Sequence, residues 1–188
     1  MSTKESKSDD SEQKPKLPTR NEALEILRST GADASVVRHC IAVSDIAVRI
    51  AKHCKKSVDI QLVEIGGLLH DIGRSSTHGI RHAVEGARIA YEKELPDELI
   101  KIIERHIGAG LTEDDARRFG LPIKSYMPET LEEKIVAHAD NLISGSKKAP
   151  VAEAVQRLVR MHEMEGAKRI LALHKELSEI CSTDLDSI

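Results

Sequence analysis

Apolar residues recur at helical spacing through most of the chain after residue 20. Two early stripes show this spacing, and they are formed by Ala23, Leu24, Ile26 and Leu27, and by Val36, Val43, Ile46, Ala47 and Ile50. Spacings of three, four and seven residues place such side chains on one face of a helix. No window alternates strictly between apolar and polar residues over the length of a strand. The pattern therefore predicts an all-α domain.

Capping residues, glycines and prolines divide this pattern into separate helices. Asp33 or Ser35 begins the second helix, and Asp59 begins a third that ends near His70. Pro96 separates a helix over 81–95 from one that runs to about residue 107.

Two Thr-x-x-acid motifs predict the helix starts that follow. Thr130 and Glu133 match a capping box, whereas Thr112 and Asp115 have Asp in place of the usual Glu or Gln. Gly166 is expected to interrupt the C-terminal helical region, which starts at residue 150.

The 188 residues correspond to one domain with short appendages. Residues 1–18 are almost entirely polar, which predicts a disordered tail. We expect the main domain over 19–146 and a C-terminal helical extension, packed on the same domain, over 147–188. The apolar stripe of this extension fits core packing or, alternatively, a dimer interface, so a monomer or a homodimer is expected.

Composition excludes several classes of function. The chain carries 28 Lys and Arg against 31 Asp and Glu, a net charge of −3, and only 2% aromatic residues. A nucleic-acid polymer is therefore a disfavoured partner, because such proteins are usually basic or rich in stacking aromatics. No apolar run approaches the roughly 18 residues of a membrane span, and the N-terminus lacks the apolar segment of a secretory signal. These features predict a cytoplasmic protein without membrane partners.

Four side chains that can bind metal lie on apolar helix faces. His39 falls on the stripe of the second helix, and His70, His106 and Asp140 occupy similar positions on three further helices. Buried charged groups are normally paired or bound to metal, and helical bundles can hold metals between facing helices. Imidazole and carboxylate ligands without thiolate suit Fe, Mn, Co, Ni or Zn, and Mg is also possible. The sequence thus predicts one or two divalent ions at the centre of the bundle.

The order of these residues resembles a known family. His39, then the adjacent pair His70 and Asp71, then Asp140 match the H…HD…D signature of the HD-domain metal-dependent phosphohydrolase superfamily, and residues 70–73 spell its HDIG variant. His82 and His106 resemble the extra ligands of the dinuclear branch. That branch includes bacterial HD-type hydrolases that cleave diadenosine tetraphosphate symmetrically. The chain also resembles archaeal HDIG-motif proteins, but no GYP triplet follows His106, so turnover of cyclic dinucleotides is not supported.

The resemblance implies an all-α HD bundle that hydrolyses a nucleotide, or a related phosphoester or phosphoanhydride, by a metal-activated hydroxide. It implies one metal held by His39, His70, Asp71 and Asp140, and a second held by Asp71, His82 and His106. In a mononuclear alternative, His82 and His106 would instead support the ligands or contact phosphate.

Three further residues receive roles in the same hypothesis, in which Asp71 is catalytic because it bridges the metals. Arg74 would bind and neutralise the phosphate, and Arg81 would assist it in binding. His78 would protonate the leaving oxygen or complete the second metal's ligands. The expected partner is a small phosphorylated, nucleotide-like substrate.

Two alternatives stay open at this point. HD-type proteins with a mixed-valent diiron centre act as oxygenases with the same six ligands, and a non-catalytic HD domain could sense a nucleotide or a metal. The remaining histidines are interpreted more simply. His138 is expected to be an ordinary surface or interhelix side chain, and His174 to lie on a solvated face.

Overall fold

The computed structural model describes residues 15–188, so most of the predicted tail lies outside the described residues. Within this range the chain forms nine α-helices and confirms the all-α prediction. They are α1 (Arg20–Ser29), α2 (Ala34–His53), α3 (Ile60–Leu69), α4 (His82–Glu92), α5 (Asp97–Arg105), α6 (Glu113–Arg118), α7 (Leu131–Asn141), α8 (Val151–Arg160) and α9 (Met164–Cys181). Two short 3-10 helices cover Ile72–Ser75 and Leu185–Ser187. None of the helices over residues 15–188 combines the length and the hydropathy that crossing a bilayer requires.

A small antiparallel hairpin follows α7. Strand β1 (Ile143–Ser144) pairs with β2 (Lys147–Lys148), and Gly145 in the turn has a φ of +64°. The sequence analysis did not predict this hairpin, because two residues per strand are too few to show an alternating pattern.

The centre of the fold is the packing of α2 against α3 and α7. Gly67 of α3 makes the closest approach, since a Cβ atom added there would lie 2.6 Å from the Cα atom of Ser44 in α2. The two helices therefore pack backbone against backbone. This approach brings the side of α2 that carries His39 near the end of α3.

Helices α8 and α9 form a hairpin whose second helix packs on α7. Cys181, Leu185 and Ile188 are buried in one apolar cluster with residues of α2 and α7. Much of the C-terminal stripe is therefore core packing, whereas Val159 and Leu171 remain exposed.

Several helix boundaries differ from the sequence-based expectation. Helix α4 ends at Glu92 rather than near residue 95, because Glu94 adopts a left-handed backbone with φ of 54°. The break between α8 and α9 lies at residues 161–163, where His162 has a φ of 61°, and not at Gly166. Gly166 lies in the first turn of α9, where an added Cβ would be 3.2 Å from the Leu158 side chain. A small residue there permits the close packing of the hairpin.

The two capping motifs also differ from the sequence-based expectation: the reciprocal capping box forms at Thr112 and not at Thr130. Thr112 and Asp115 form the reciprocal capping box, each side chain bonding the other's backbone N–H. The Thr130 hydroxyl accepts from the Glu133 N–H, but the Glu133 carboxylate accepts instead from the Glu129 N–H (2.7 Å) and from Arg105 (2.9 Å). The partly buried guanidinium of Arg105 in α5 thus binds the carboxylate that would have closed the box.

Candidate metal centre

The six predicted ligands meet at the ends and inner faces of five helices. His39 lies in α2 and Asp140 in α7, whereas the other four flank helix ends. His70 follows the last residue of α3, His82 is the first residue of α4 and His106 follows the last residue of α5. Asp71 lies between α3 and the first 3-10 helix. Because the α-helix stops at His70, two adjacent side chains can turn toward one centre.

Each of the four histidines donates a hydrogen bond from Nδ1 to a backbone carbonyl. The acceptors are Gly145 for His39 (2.7 Å), Gly67 for His70 (2.8 Å), Gly79 for His82 (2.8 Å) and Ile103 for His106 (2.7 Å). A carbonyl oxygen can only accept, so the proton of each neutral ring is on Nδ1. The Nε2 lone pairs are thereby left free, which is the arrangement found in metal-binding histidines whose other nitrogen is held by the protein.

The four Nε2 atoms face two carboxylates. His39 Nε2 is 2.9 Å from Asp140 Oδ1, and His82 Nε2 is 3.0 Å from Asp71 Oδ1. His106 Nε2 is 3.6 Å from the same Asp71 oxygen. His70 Nε2 lies 3.6 Å from Asp71 Oδ2 and 3.7 Å from Asp140 Oδ1.

This arrangement of acceptors requires a cation. His82 Nε2 and His106 Nε2 are 3.0 Å apart, and two lone pairs can face each other at that distance only with a proton or a metal ion between them. His70 Nε2 and Asp71 Oδ1 are buried and lack a hydrogen bond of good geometry. Buried acceptors without donors are costly, and a bound metal ion would satisfy all of them. The residues present therefore fit a metal centre.

Electrostatics keep both carboxylates ionised. Burial raises the pKa of Asp71, but the neighbouring His70, His106 and His82 outweigh it and hold that pKa far below its usual range. Burial likewise raises the pKa of Asp140, and the neighbouring His39 and His70 outweigh it and lower that pKa. Anionic carboxylates are the form that binds metal, so no proton has to leave them at neutral pH.

The net pKa shift differs between two of the histidines, although burial lowers the pKa of both. Desolvation lowers the pKa of His106, whereas the charge of Asp71 overcomes desolvation and raises the pKa of His70. A positive charge at His70 is therefore favoured by its surroundings, and a metal ion would supply that charge in place of the proton.

A cavity of about 630 Å³ opens onto this cluster. Arg74 and the exposed His78 line it, and Arg74 Nε donates to Asp71 Oδ2 over 2.6 Å. Arg81 does not line the cavity, because its guanidinium donates to the Gly120 carbonyl at 2.8 Å. The structure thus brings together the six predicted ligands, Arg74 and His78, and places Arg81 elsewhere.

The sequence analysis missed the residues that line the far side of the cavity. These come from α6 and the residue that follows it, from α8 and α9, and from the segment between α8 and α9, and they are Asp115, Arg118, Phe119, Arg157, Leu158, Met161, Glu163, Arg169 and Ile170. No motif links them, since their proximity arises only from the packing of the C-terminal hairpin.

Two other histidines form a separate pair. His138 is buried between helices and its Nε2 lies 3.0 Å from His174 Nδ1, as expected for an interhelix side chain. The prediction that His174 lies on a solvated face is wrong, because it also contacts Asp184 at 3.2 Å and is only partly exposed.

Comparisons with known proteins identify the family of the chain. The family model of the HD domain matches residues 36–145, which confirms the resemblance to the HD superfamily. An uncharacterized protein of Methanocaldococcus jannaschii is 48% identical over 165 residues, covering 84% of this chain and 96% of that protein. The tRNA (cytidine(56)-2'-O)-methyltransferase of Picrophilus torridus is 44% identical over 172 residues. That match covers 92% of this chain but 50% of the methyltransferase, so the chain spans about half the length of that relative.

The crystal structure of the HD domain of the Listeria monocytogenes phosphodiesterase PgpH has the same fold. It superimposes with a TM-score of 0.55 and 17% sequence identity, covering 88% of this chain and 96% of that chain.

Proposed function

Because this chain belongs to the HD-domain family, we propose that it is a metal-dependent phosphohydrolase acting on a phosphoester or phosphoanhydride of a nucleotide. The observation that carries the proposal is the convergence of four Nε2 lone pairs on two ionised carboxylates inside an open cavity. That donor set binds a divalent transition metal and leaves room for a small substrate beside it.

The two oxygens of Asp71 divide the histidines into two groups. Oδ2 faces His39 at 3.7 Å and His70 at 3.6 Å, whereas Oδ1 faces His82 at 3.0 Å and His106 at 3.6 Å. This division supports a dinuclear centre, to which Asp71 would contribute both carboxylate oxygens. His39, His70, Asp71 and Asp140 would hold one ion, and Asp71, His82 and His106 would hold the other. Bound cations of this kind supply a water of lowered pKa and stabilise negative charge on phosphoryl oxygens.

Arg74 and His78 would perform the remaining chemistry. Arg74 donates to Asp71 through Nε and lines the cavity, so the other N–H groups of its guanidinium would donate to the oxygens of a bound phosphate. A cation placed there stabilises charge that develops on the phosphoryl group during attack. His78 is exposed where it lines the cavity and would donate a proton to the leaving oxygen.

Metal stoichiometry tests the centre directly. Protein purified without a metal-capturing tag should contain about two transition-metal ions per chain, and His82→Ala should halve that content. His53→Ala is the matched control, because His53 is exposed and, among residues 15–188, its side chain bonds only the Arg49 carbonyl of its own helix. Unchanged metal content in His82→Ala would rule out the dinuclear arrangement.

Activity assays test the reaction class. A panel of nucleotides should release phosphate with wild-type protein and not with Asp71→Ala, at equal rates with and without oxygen. Turnover that occurs only with oxygen would replace this proposal with the diiron oxygenase. Tight nucleotide binding without turnover under any metal would replace it with a sensing domain.

A second candidate is hydrolysis of phosphodiester bonds in RNA. The observation that favours it is a relative whose name gives it an RNA substrate. That relative is named as a tRNA methyltransferase, and half of its length is similar to nearly the whole of this chain. An end-labelled oligoribonucleotide assayed beside the mononucleotide panel separates the two candidates.

A further inference from the structure

The cavity extends well beyond the metal ligands, and its far wall is built by the C-terminal hairpin. Arg157 and Leu158 of α8, Met161 and Glu163 of the connection, and Arg169 and Ile170 of α9 line it. All six residues follow residue 145, where the match to the HD-domain model ends. This wall is therefore a feature that the family match does not account for.

An ionic network fixes the hairpin to α6. Asp115 accepts hydrogen bonds from Arg118 at 3.0 Å and from Arg169 at 2.7 Å. Glu163 accepts from Arg118 at 2.6 Å, and the Arg118 guanidinium lies 4.5 Å from the centre of the Phe119 ring. The wall is thus held in place by charge pairs, and the charges of Arg118 and Arg169 are neutralised within it.

Arg157 differs from these two arginines. It is exposed and lines the same cavity, and within residues 15–188 its guanidinium forms no ion pair or hydrogen bond. Leu158, Met161 and Phe119 add apolar side chains to the lining of the same cavity. A guanidinium without a partner, in a cavity that also has an apolar lining, suits an anionic group attached to a nucleoside.

We propose that the α8–α9 hairpin forms a second binding subsite, in which Arg157 binds an anionic group of the substrate away from the phosphoryl group at the metal centre. The apolar residues Phe119, Leu158 and Met161 contact the nucleoside between the two. The substrate class is a nucleotide with phosphate groups at two separate positions. This inference rests on the proposed function, since it assumes that one phosphate lies at the metal centre.

Binding measurements on Arg157→Gln test the subsite. The probes are adenosine 5′-monophosphate and adenosine 3′,5′-bisphosphate, and equilibrium dialysis gives Kd while product formation is followed in the same samples. Loss of one charge-assisted hydrogen bond should weaken bisphosphate binding about tenfold and leave monophosphate binding within about twofold. Arg160→Gln is the matched control, since Arg160 is exposed on the same helix and does not line the cavity.

The outcomes separate the subsite from the proposed reaction. The subsite would be overturned if Arg157→Gln weakened the binding of both ligands equally or of neither, or if Arg160→Gln had the same effect as Arg157→Gln. Failure of the wild-type protein to bind the bisphosphate would overturn it as well. Selective weakening in a protein that hydrolyses none of the nucleotide panel would support the subsite and count against the proposed hydrolase. Unchanged melting temperatures of both variants show that the comparison is between folded proteins.

Discussion

Gly73 provides the sharpest test of how the fold builds the metal centre. A Cβ atom at this position would lie 2.0 Å from the His82 carbonyl oxygen and 2.5 Å from the Gly86 N. Ordinary contact begins at 3.4 Å, so in Gly73→Ala the start of α4 would have to retreat by about 1.4 Å, the difference between 3.4 Å and 2.0 Å. Both atoms that the Cβ meets are backbone atoms, and no side-chain rotation can relieve the contact.

The retreat of α4 should separate one ligand from the others. His82 is the first residue of α4 and its Nε2 lies 3.0 Å from Asp71, whereas His39, His70 and Asp140 belong to other elements. Metal–ligand distances tolerate changes of only about 0.2 Å. We therefore expect Gly73→Ala to lose about one of two bound ions. Overpacking of about 1–3 kcal/mol should also lower the melting temperature by roughly 2–12 °C.

Metal analysis and thermal unfolding together check this expectation. Gly79→Ala is the control, because a Cβ there would meet nothing within 4 Å and the variant keeps the carbonyl that accepts from His82. Two ions per chain and a wild-type melting temperature in Gly73→Ala would refute the reasoning. The same loss in both alanine variants would show that the effect does not come from the contact with α4.

Three further predictions follow from other parts of the structure. Gly67→Ala should reduce the free energy of unfolding by about 3 kcal/mol in urea titrations, since its Cβ would lie 2.6 Å from Ser44 Cα; wild-type stability would contradict the close packing. Burial raises the pKa of the Cys54 thiol to about 12. At pH 8 iodoacetamide should therefore alkylate Cys54 far more slowly than free cysteine, and mass spectrometry measures the extent of alkylation over time. Burial raises the pKa of Asp115, but hydrogen bonds from Thr112 and the charge of Arg169 outweigh it and lower that pKa below the ordinary 3.8. The Asp115 carboxylate therefore stabilises the fold above about pH 4, and this contribution is lost at lower pH. The stability gap between wild type and Asp115→Asn should accordingly narrow from pH 7 to pH 3, and a constant gap would contradict this role.

The inward direction of the ligands could be predicted because it depends on local periodicity. His39 shares a helix face with Val43 and Ile50, and that face packs on α3 and α7 in the structure. The order of the motif residues then identified the family. The structure places all six side chains together, and their role as ligands stays a prediction that metal analysis must test.

Features set by distant residues could not be predicted in the same way. Glu133 leaves its capping box because Arg105, 28 residues earlier, reaches its carboxylate. The Arg81 side chain turns to the Gly120 carbonyl, 39 residues later. The far wall of the cavity depends on the hydrogen bond from Arg169 to Asp115, 54 residues earlier, which fixes the C-terminal hairpin to α6. Each case is a long-range contact that neither spacing nor residue type reveals.

The hydrogen bonds that hold the four histidine rings by Nδ1 show how local and distant contacts combine in one site. Three rings bond the carbonyl three residues earlier in the chain: His70 bonds Gly67, His82 bonds Gly79 and His106 bonds Ile103. Gly67 and Ile103 lie in the last turns of α3 and α5, where helical carbonyls lack intrahelical partners, so the helix end itself sets the tautomer and the ring orientation. His39 lies inside α2 and has no such free carbonyl nearby. Its Nδ1 instead bonds Gly145, 106 residues later, in the turn between β1 and β2. The hairpin that the sequence did not predict is thus the element that orients the one histidine whose own helix cannot orient it.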